Sequence, residues 1–179
     1  RNPSYEPELD DDEYSKVADF SRILGAIKLS GKTRNGWSVG ILESVTNVEY
    51  VEIDQDGYRH KEMAEPLTNY FNTRIQKDIN EGNTVIGGMV TATNRYNQAT
   101  TVEFLPTAAY TGGVDFKKYW DEKSYYFSAK IAFSYVTGST EAMTELQESS
   151  RRYFQRPDAT HLEVDTTLTS LFGNGGSVE

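Results

Sequence analysis

The chain offers few residues of the types that carry chemistry, and their spacing limits what that chemistry could be. The run "ELDDDEY" sets Glu8 and Leu9 before Asp10, Asp11, Asp12 and Glu13. Such a cluster resembles the oxygen-rich ligand set of calcium, which takes roughly six to eight oxygens. It lacks the glycine at the sixth position and the bidentate glutamate at the twelfth that an EF-hand loop needs, so it reads as a solvated acidic loop. In "VEIDQDGYRHKE", Asp54, Asp56 and Gly57 read as a turn with Asp-Gly at its tip. The only two histidines, His60 and His161, are too far apart in sequence to argue a joint site. Glu163 and Asp165 lie two apart, on one face of an expected strand. Paired carboxylates about 5 or 6.5–9.5 Å apart serve glycoside hydrolysis, but most acidic chains contain such a pair by chance. With no cysteine, disulfides, thiol nucleophiles, iron–sulfur clusters and ordinary structural zinc sites are excluded. There is no nucleophile elbow, phosphate-binding loop or dinucleotide turn. No catalytic, cofactor-binding or metal-binding residues are assigned, and a non-enzymatic role is favoured.

One basic set remains. Arg22, Lys28, Lys32, Arg74 and Lys130 fall on the polar side of expected strands. They could line a wet lumen and favour anionic or polyhydroxylated solutes. They could equally solvate that face or pair with Asp78.

The elements that would hold these residues are strands, because apolar residues recur with a period of two. In 20–32, Ile23, Gly25, Ile27 and Leu29 share one face, opposite Arg22, Ala26, Lys28, Ser30 and Lys32. In 37–45, Trp37, Val39 and Ile41 alternate with Ser38 and Gly40. In 67–79, Leu67, Phe71, Thr73 and Ile75 share a face, with Asn69 and Lys77 as exceptions. Residues 83–95 form a strand too glycine-rich for its faces to be assigned. The strand 114–120 is short, and "TGGVDF" (111–116) reads as a flexible loop closing onto it. The segment 125–136 alternates most clearly, with Tyr125, Phe127, Ala129, Ile131, Phe133 and Tyr135 on one side. A seventh strand is expected over 162–172, followed by a hairpin turn at Gly173–Gly176. A helix is expected over 140–154, capped by Ser139, with Arg151 and Arg152 at its end and Pro157 forbidding continuation.

Short turns join these strands at one end and long links (46–66, 96–113 and the helix-bearing one) at the other. That is the layout of an outer-membrane barrel. On it, Ile23, Ile27, Leu29, Trp37, Val39, Ile41, Phe127, Ile131 and Phe133 would face lipid. Tyr125, Tyr135, Trp37 and Trp120 would form interfacial girdles. A soluble up-and-down barrel or sandwich alternates in the same way.

The charge partition bears on this choice. The chain has 18 Lys plus Arg against 27 Asp plus Glu, a net −9. The six clearest strand windows carry +6 and the remainder −15, so the acidity lies in the connections. The net acidity argues against nucleic acid as a partner. Mean hydropathy is −0.62 and no apolar run is long enough for a membrane-crossing helix.

The stretches "ILGAIKLSGKTRNGWSVGILESVTN", "EPLTNYF", "GNTVIGGMVTATNR", "AAYTGGVDF", "YYFSAKIAFSYVTGS", "RRYFQRPDA" and "LEVDTTLTSLFGNGG" together resemble a known family. It is the C-terminal region of large Bacteroidetes-type envelope proteins, classed as domain of unknown function 5916. Such proteins commonly carry an N-terminal domain like carbohydrate-binding module family 9. The resemblance implies an outer-membrane β-barrel segment downstream of a sugar-binding-like domain.

The expectation is therefore an all-β antiparallel up-and-down meander, part of a barrel in the bacterial outer membrane, with one short helix in a long loop. Residues 1–19 would be an acidic lead-in, and 20–179 a partial barrel segment of about seven strands. Both ends read as those of a fragment. The expected partners are outer-membrane lipid, the remaining strands of the same or a partner barrel protein, and extracellular ligands, glycans among them. The rival readings are a soluble β-rich binding domain or an accessory part of a glycan-degrading enzyme.

Overall fold

Ten strands in two antiparallel sheets, one α-helix and two short 3-10 turns make up the structure, a computed structural model that describes residues 2–10, 12–96, 98–158 and 163–179. The strands are β1 (Glu13–Lys16), β2 (Ile23–Lys32), β3 (Trp37–Thr46), β4 (Glu49–Gln55), β5 (Tyr58–Glu65) and β6 (Leu67–Ile79). They continue as β7 (Thr84–Tyr96), β8 (Ala108–Trp120), β9 (Tyr125–Thr137) and β10 (Ser170–Val178), with helix α1 (Thr140–Glu148) before β10. The large sheet has the order β10-β9-β8-β7-β6-β3-β2, and every pairing in it is antiparallel. It is open, with β2 and β10 at its edges. The small sheet has the order β1-β4-β5.

Six of the strands expected from period-two patterning correspond to strands of the large sheet, and the seventh only overlaps the start of β10. What the pattern misses is the small sheet. The link 46–66, expected only as a long polar connection, holds the β4–β5 hairpin, and β1 comes from the acidic lead-in. Only Val51, Ile53 and Ala64 point into its core, where Tyr5 and Val17 pack against them. Three apolar positions among so many charges are too few to show a period. The turn at its tip is where Asp-Gly predicts it. Asp56 and Gly57 have φ of 51° and 86°, and the Gly57 N–H donates to Asp54 Oδ1 at 3.0 Å.

Two glycine-rich runs are strand rather than loop or turn. Thr111–Phe116 lies inside β8, hydrogen-bonded to β7 on one side and β9 on the other. Gly112 stands opposite Phe133, and a Cβ there would lie 2.5 Å from the Phe133 ring, so the glycine seats that ring. Gly173–Gly176 lies inside β10 and pairs with β9 throughout, so no hairpin forms there. Glycine and asparagine make a turn only where the chain must reverse, and here β9 supplies an unbroken ladder. The seventh strand is accordingly 170–178, not 162–172. Residues 163–165 are not in a strand, so Glu163 and Asp165 share no strand face, and Leu162 lies outside the described residues.

Helix α1 is shorter than expected, because it ends at Glu148 and leaves Arg151 and Arg152 beyond its last turn. Tyr153, with φ of 47°, takes the chain away from helical geometry before Pro157 is reached. The Ser139 cap is as expected, its Oγ accepting the Ala142 N–H at 3.0 Å. The same hydroxyl donates to the Glu103 carbonyl at 2.7 Å, which ties the helix to the 97–107 connection. Ala142 and Met143 bury against Val136, with Ala109 and Leu171 beside them.

Candidate functional site

The register of the large sheet sorts its side chains into two faces. One is largely apolar from β2 to β9, and Gly176 and Asn174 of β10 continue its rows. Val39, Ile75, Gly88, Val114 and Ile131 run in one row, and Leu29, Ile41, Thr73, Val90, Gly112 and Phe133 in the next. Much of this face is exposed, with Ile27 at 70 %, Val114 at 60 % and Ile131 at 63 %, while Val39 and Ile41 are half-buried. Trp37, Lys77, Lys118, Trp120 and Tyr125 stand at the short-turn end of this face, where Lys77 lies over Trp37 and Lys118 over Trp120. Tyr110 and Tyr135 stand opposite one another toward the other end. The one carboxylate on the face, Glu43, accepts from Asn69 Nδ2 at 3.2 Å.

Eight of the nine residues expected on the apolar side share this face. The ninth, Ile23, does not, because an irregularity between Ile23 and Gly25 puts it in register with Thr46 of the other face.

The second face is polar, and its rows differ in character. Farthest toward the long connections is the row Ala109–Val136–Leu171, on which α1 packs. Next comes a row of hydroxyls and amides, Asn72, Thr91, Thr111 and Ser134, in which Thr91 and Thr111 are 2.6 Å apart. A row of small residues follows, Gly113, Ala132 and Gly175 opposite one another, with Arg74 and Met89 at its far side. Beyond it is a charged row containing Lys32, Gln76, Asp115 and Lys130.

A network of side chains crosses this face. Lys32 Nζ donates to Asp78 at 2.8 Å, Gln76 donates to Asp78 at 3.0 Å, and Arg74 lies 3.3 Å from Gln76 and 3.0 Å from Asp115. Arg74 is on β6 and Asp115 on β8, so their bridge passes over β7 at Gly87. A Cβ at Gly87 would lie 2.7 Å from the Asp115 carboxylate and 2.9 Å from the Arg74 guanidinium. The glycine leaves the path open, an arrangement no period-two reading of this strand could have found.

Of the basic set, Lys28, Lys32, Arg74 and Lys130 therefore lie on the polar face, two of them in this network. Arg22 precedes β2, and its Nε donates to the buried carboxylate of Glu49 at 3.0 Å, outside the large sheet. Lys28 and Lys130 have no ion pair among the described residues.

A groove of about 550 Å³ lies on the polar face, lined by Arg74, Thr111, Asp115, Lys130 and Ser134 from the sheet. Arg152, half-buried in the segment after α1, lines it too. Sequence reading placed Arg152 at a helix terminus and missed it, because only the early end of α1 turns it toward the sheet.

The remaining candidates do not converge. Among the described residues no three carboxylate or imidazole groups could hold a metal ion. Asp11 of the acidic run and His161 lie outside the described residues. His60 stacks on Tyr58 in the small sheet and sits 3.7 Å from Glu62. The Asp165 carboxylate accepts the hydroxyl and N–H of Thr167, which hold it below the usual carboxylate range. Its backbone is gripped by the buried amide of Gln147, which donates to the Asp165 carbonyl and accepts its N–H, both at 2.9 Å. Asp165 thus shapes its own turn.

The fold defines an all-β antiparallel protein whose large sheet has one polar, charged face and one largely apolar face. More specifically, the chain belongs to the family described as Domain of unknown function (DUF5916), which it matches over residues 1–164. No curated protein and no solved structure matches it.

Proposed function

We propose that this chain is a segment of a bacterial outer-membrane β-barrel protein that transports extracellular ligands or engages them at the surface, glycans among them. One observation carries the reading: the helix and its loop pack on the polar face, while the apolar face is left uncovered. A protein folding in water does the reverse, burying apolar surface under such elements and leaving the polar side wet. In a barrel the outward face meets lipid and the inward face meets water, so the inversion has a physical cause.

Dimensions and chemistry support the same reading. From Tyr125 to Tyr135 the strand runs about 33 Å at 3.3 Å per residue, or about 23 Å along the normal at a 45° tilt. That is close to the roughly 25 Å apolar band of such barrels. Trp37, Trp120 and Tyr125 at one end and Tyr110 and Tyr135 at the other fit interfacial girdles, with Lys77 and Lys118 reaching for headgroups. No helix among the described residues is long and apolar enough to cross a membrane, so any crossing falls to the strands. Seven strands with two free edges need further strands to close, from the same protein or a partner barrel protein.

Carbonate extraction of membranes carrying the full-length protein tests this. The protein is expected to stay in the pellet and to need detergent for release. Recovery in the supernatant, soluble without detergent, would overturn the proposal in favour of a soluble β-rich binding domain.

A further inference from the structure

We infer that the groove on the polar face, lined by Arg74, Lys130 and Arg152, binds a small carboxylate-bearing, hydroxylated solute of the sugar-acid class. The inference deepens the reading above, since it rests on the polar face being the wet one. Three cations from three separate elements meet there, Arg74 of β6, Lys130 of β9 and Arg152 after α1, against the single carboxylate of Asp115. Arg74 already engages that carboxylate at 3.0 Å. Lys130 and Arg152 have no ion pair among the described residues, so they are the groups left to meet an anion.

The rows around them give the groove its selectivity. Gly113, Ala132 and Gly175 stand opposite one another and leave a floor almost without side chains. Thr111 and Ser134 stand opposite one another on the α1 side of that floor, presenting hydroxyls that donate and accept. Asp115 and Lys130 stand opposite one another on its other side. A ligand lying across the floor thus meets the Thr111 and Ser134 hydroxyls on one side and the Asp115–Lys130 pair on the other. At about 550 Å³ the space is in the usual range for small-molecule sites and ample for one sugar ring. A guanidinium is suited to a carboxylate because it donates two parallel hydrogen bonds.

The test is calorimetric titration of the detergent-purified full-length protein with galacturonate, galactose and acetate. Galacturonate is expected to bind, with galactose and acetate each weaker by about tenfold or more, the scale of one charge-assisted contact. Lys130→Gln and Arg152→Gln should each weaken galacturonate by a similar factor, and Lys61→Gln in the small sheet should not. Gly175→Leu should abolish binding while the protein folds, because a Cβ at Gly175 meets nothing within 4 Å. Absence of galacturonate binding, equal binding of galactose or acetate, or unaltered binding in all three groove variants would overturn the inference. Loss of binding by a protein that resists carbonate extraction would remove only the groove. Binding by a protein that carbonate releases would remove the barrel and leave the groove standing.

Discussion

The two sheets follow the same alternating pattern but use it in opposite ways. The small sheet turns Val51 and Ile53 inward, where they are 0 % and 4 % exposed, and sends Tyr50 and Tyr58 outward. The large sheet has far more apolar side chains and buries almost none of those on its apolar face. Val136 and Leu171, which α1 covers, belong to its polar face. The small sheet therefore has a core of its own, stabilised by water exclusion, whereas the large sheet depends on whatever covers its apolar face. Helix α1 behaves like the small sheet, with Met143 fully buried against Val136, which is itself only 8 % exposed.

The sharpest way to test this contrast is to damage each region in kind. Ile53→Ala and Met143→Ala should each cost about 2–5 kcal/mol, the usual range for emptying a buried site. Thermal unfolding in detergent, with hydrogen exchange localising the loss to β4–β5 or to α1, would measure it. Ile131→Arg on the apolar face should cost about 2–4 kcal/mol if that side chain sits near a bilayer midplane. Its readout is assembly into membranes, and normal assembly would end the contrast between the sheets.

Smaller effects test the connections. Ser139→Ala removes the helix cap and the tie to Glu103, and should cost about 1 kcal/mol of α1 stability by hydrogen exchange. In the small sheet, the Tyr5 hydroxyl donates to Glu62 at 2.8 Å, and the acceptance of that bond by a carboxylate pushes the phenol up to about 12. Because the folded value lies above the ordinary one near 10, this contribution is complete below pH 10 and is lost as pH rises toward 12. Titrating the small sheet's hydrogen-exchange protection should reveal that loss, and Tyr5→Phe should remove it. The smallest effect is Gly87→Ala, which obstructs the Arg74–Asp115 bridge. Both partners are partly exposed, so the cost should stay under about 1 kcal/mol. A second substitution, Asp115→Asn, should add little on that background, a coupling that a double-mutant cycle detects.

Much of the large sheet was legible because alternation is local. Residues such as Phe127, Ile131 and Phe133 declare a face without reference to any partner strand. The small sheet was not legible, because its three inward residues are scattered among charges and its first strand comes from an acidic lead-in. Gly112–Gly113 and Gly173–Gly176 were misread for a related reason. Glycine carries no side-chain pattern, so only the neighbouring ladder decides whether it extends or turns. The candidate site was half legible: Arg74 and Lys130 announced themselves as polar-face cations, but nothing in the sequence joined Arg152 to them.

The sequence by itself determined the all-β class, six of the seven main strands, the Asp-Gly turn, the Ser139 cap and the segregation of charge. Each depends on residues within a few positions of one another. Only the tertiary structure decided that α1 lies over the polar face, that Gly87 opens a path for Arg74 to reach Asp115, and that Arg152 and Lys130 line one groove. These depend on strand register and chain reversal, which bring together residues that are distant in sequence and carry no local sign of one another.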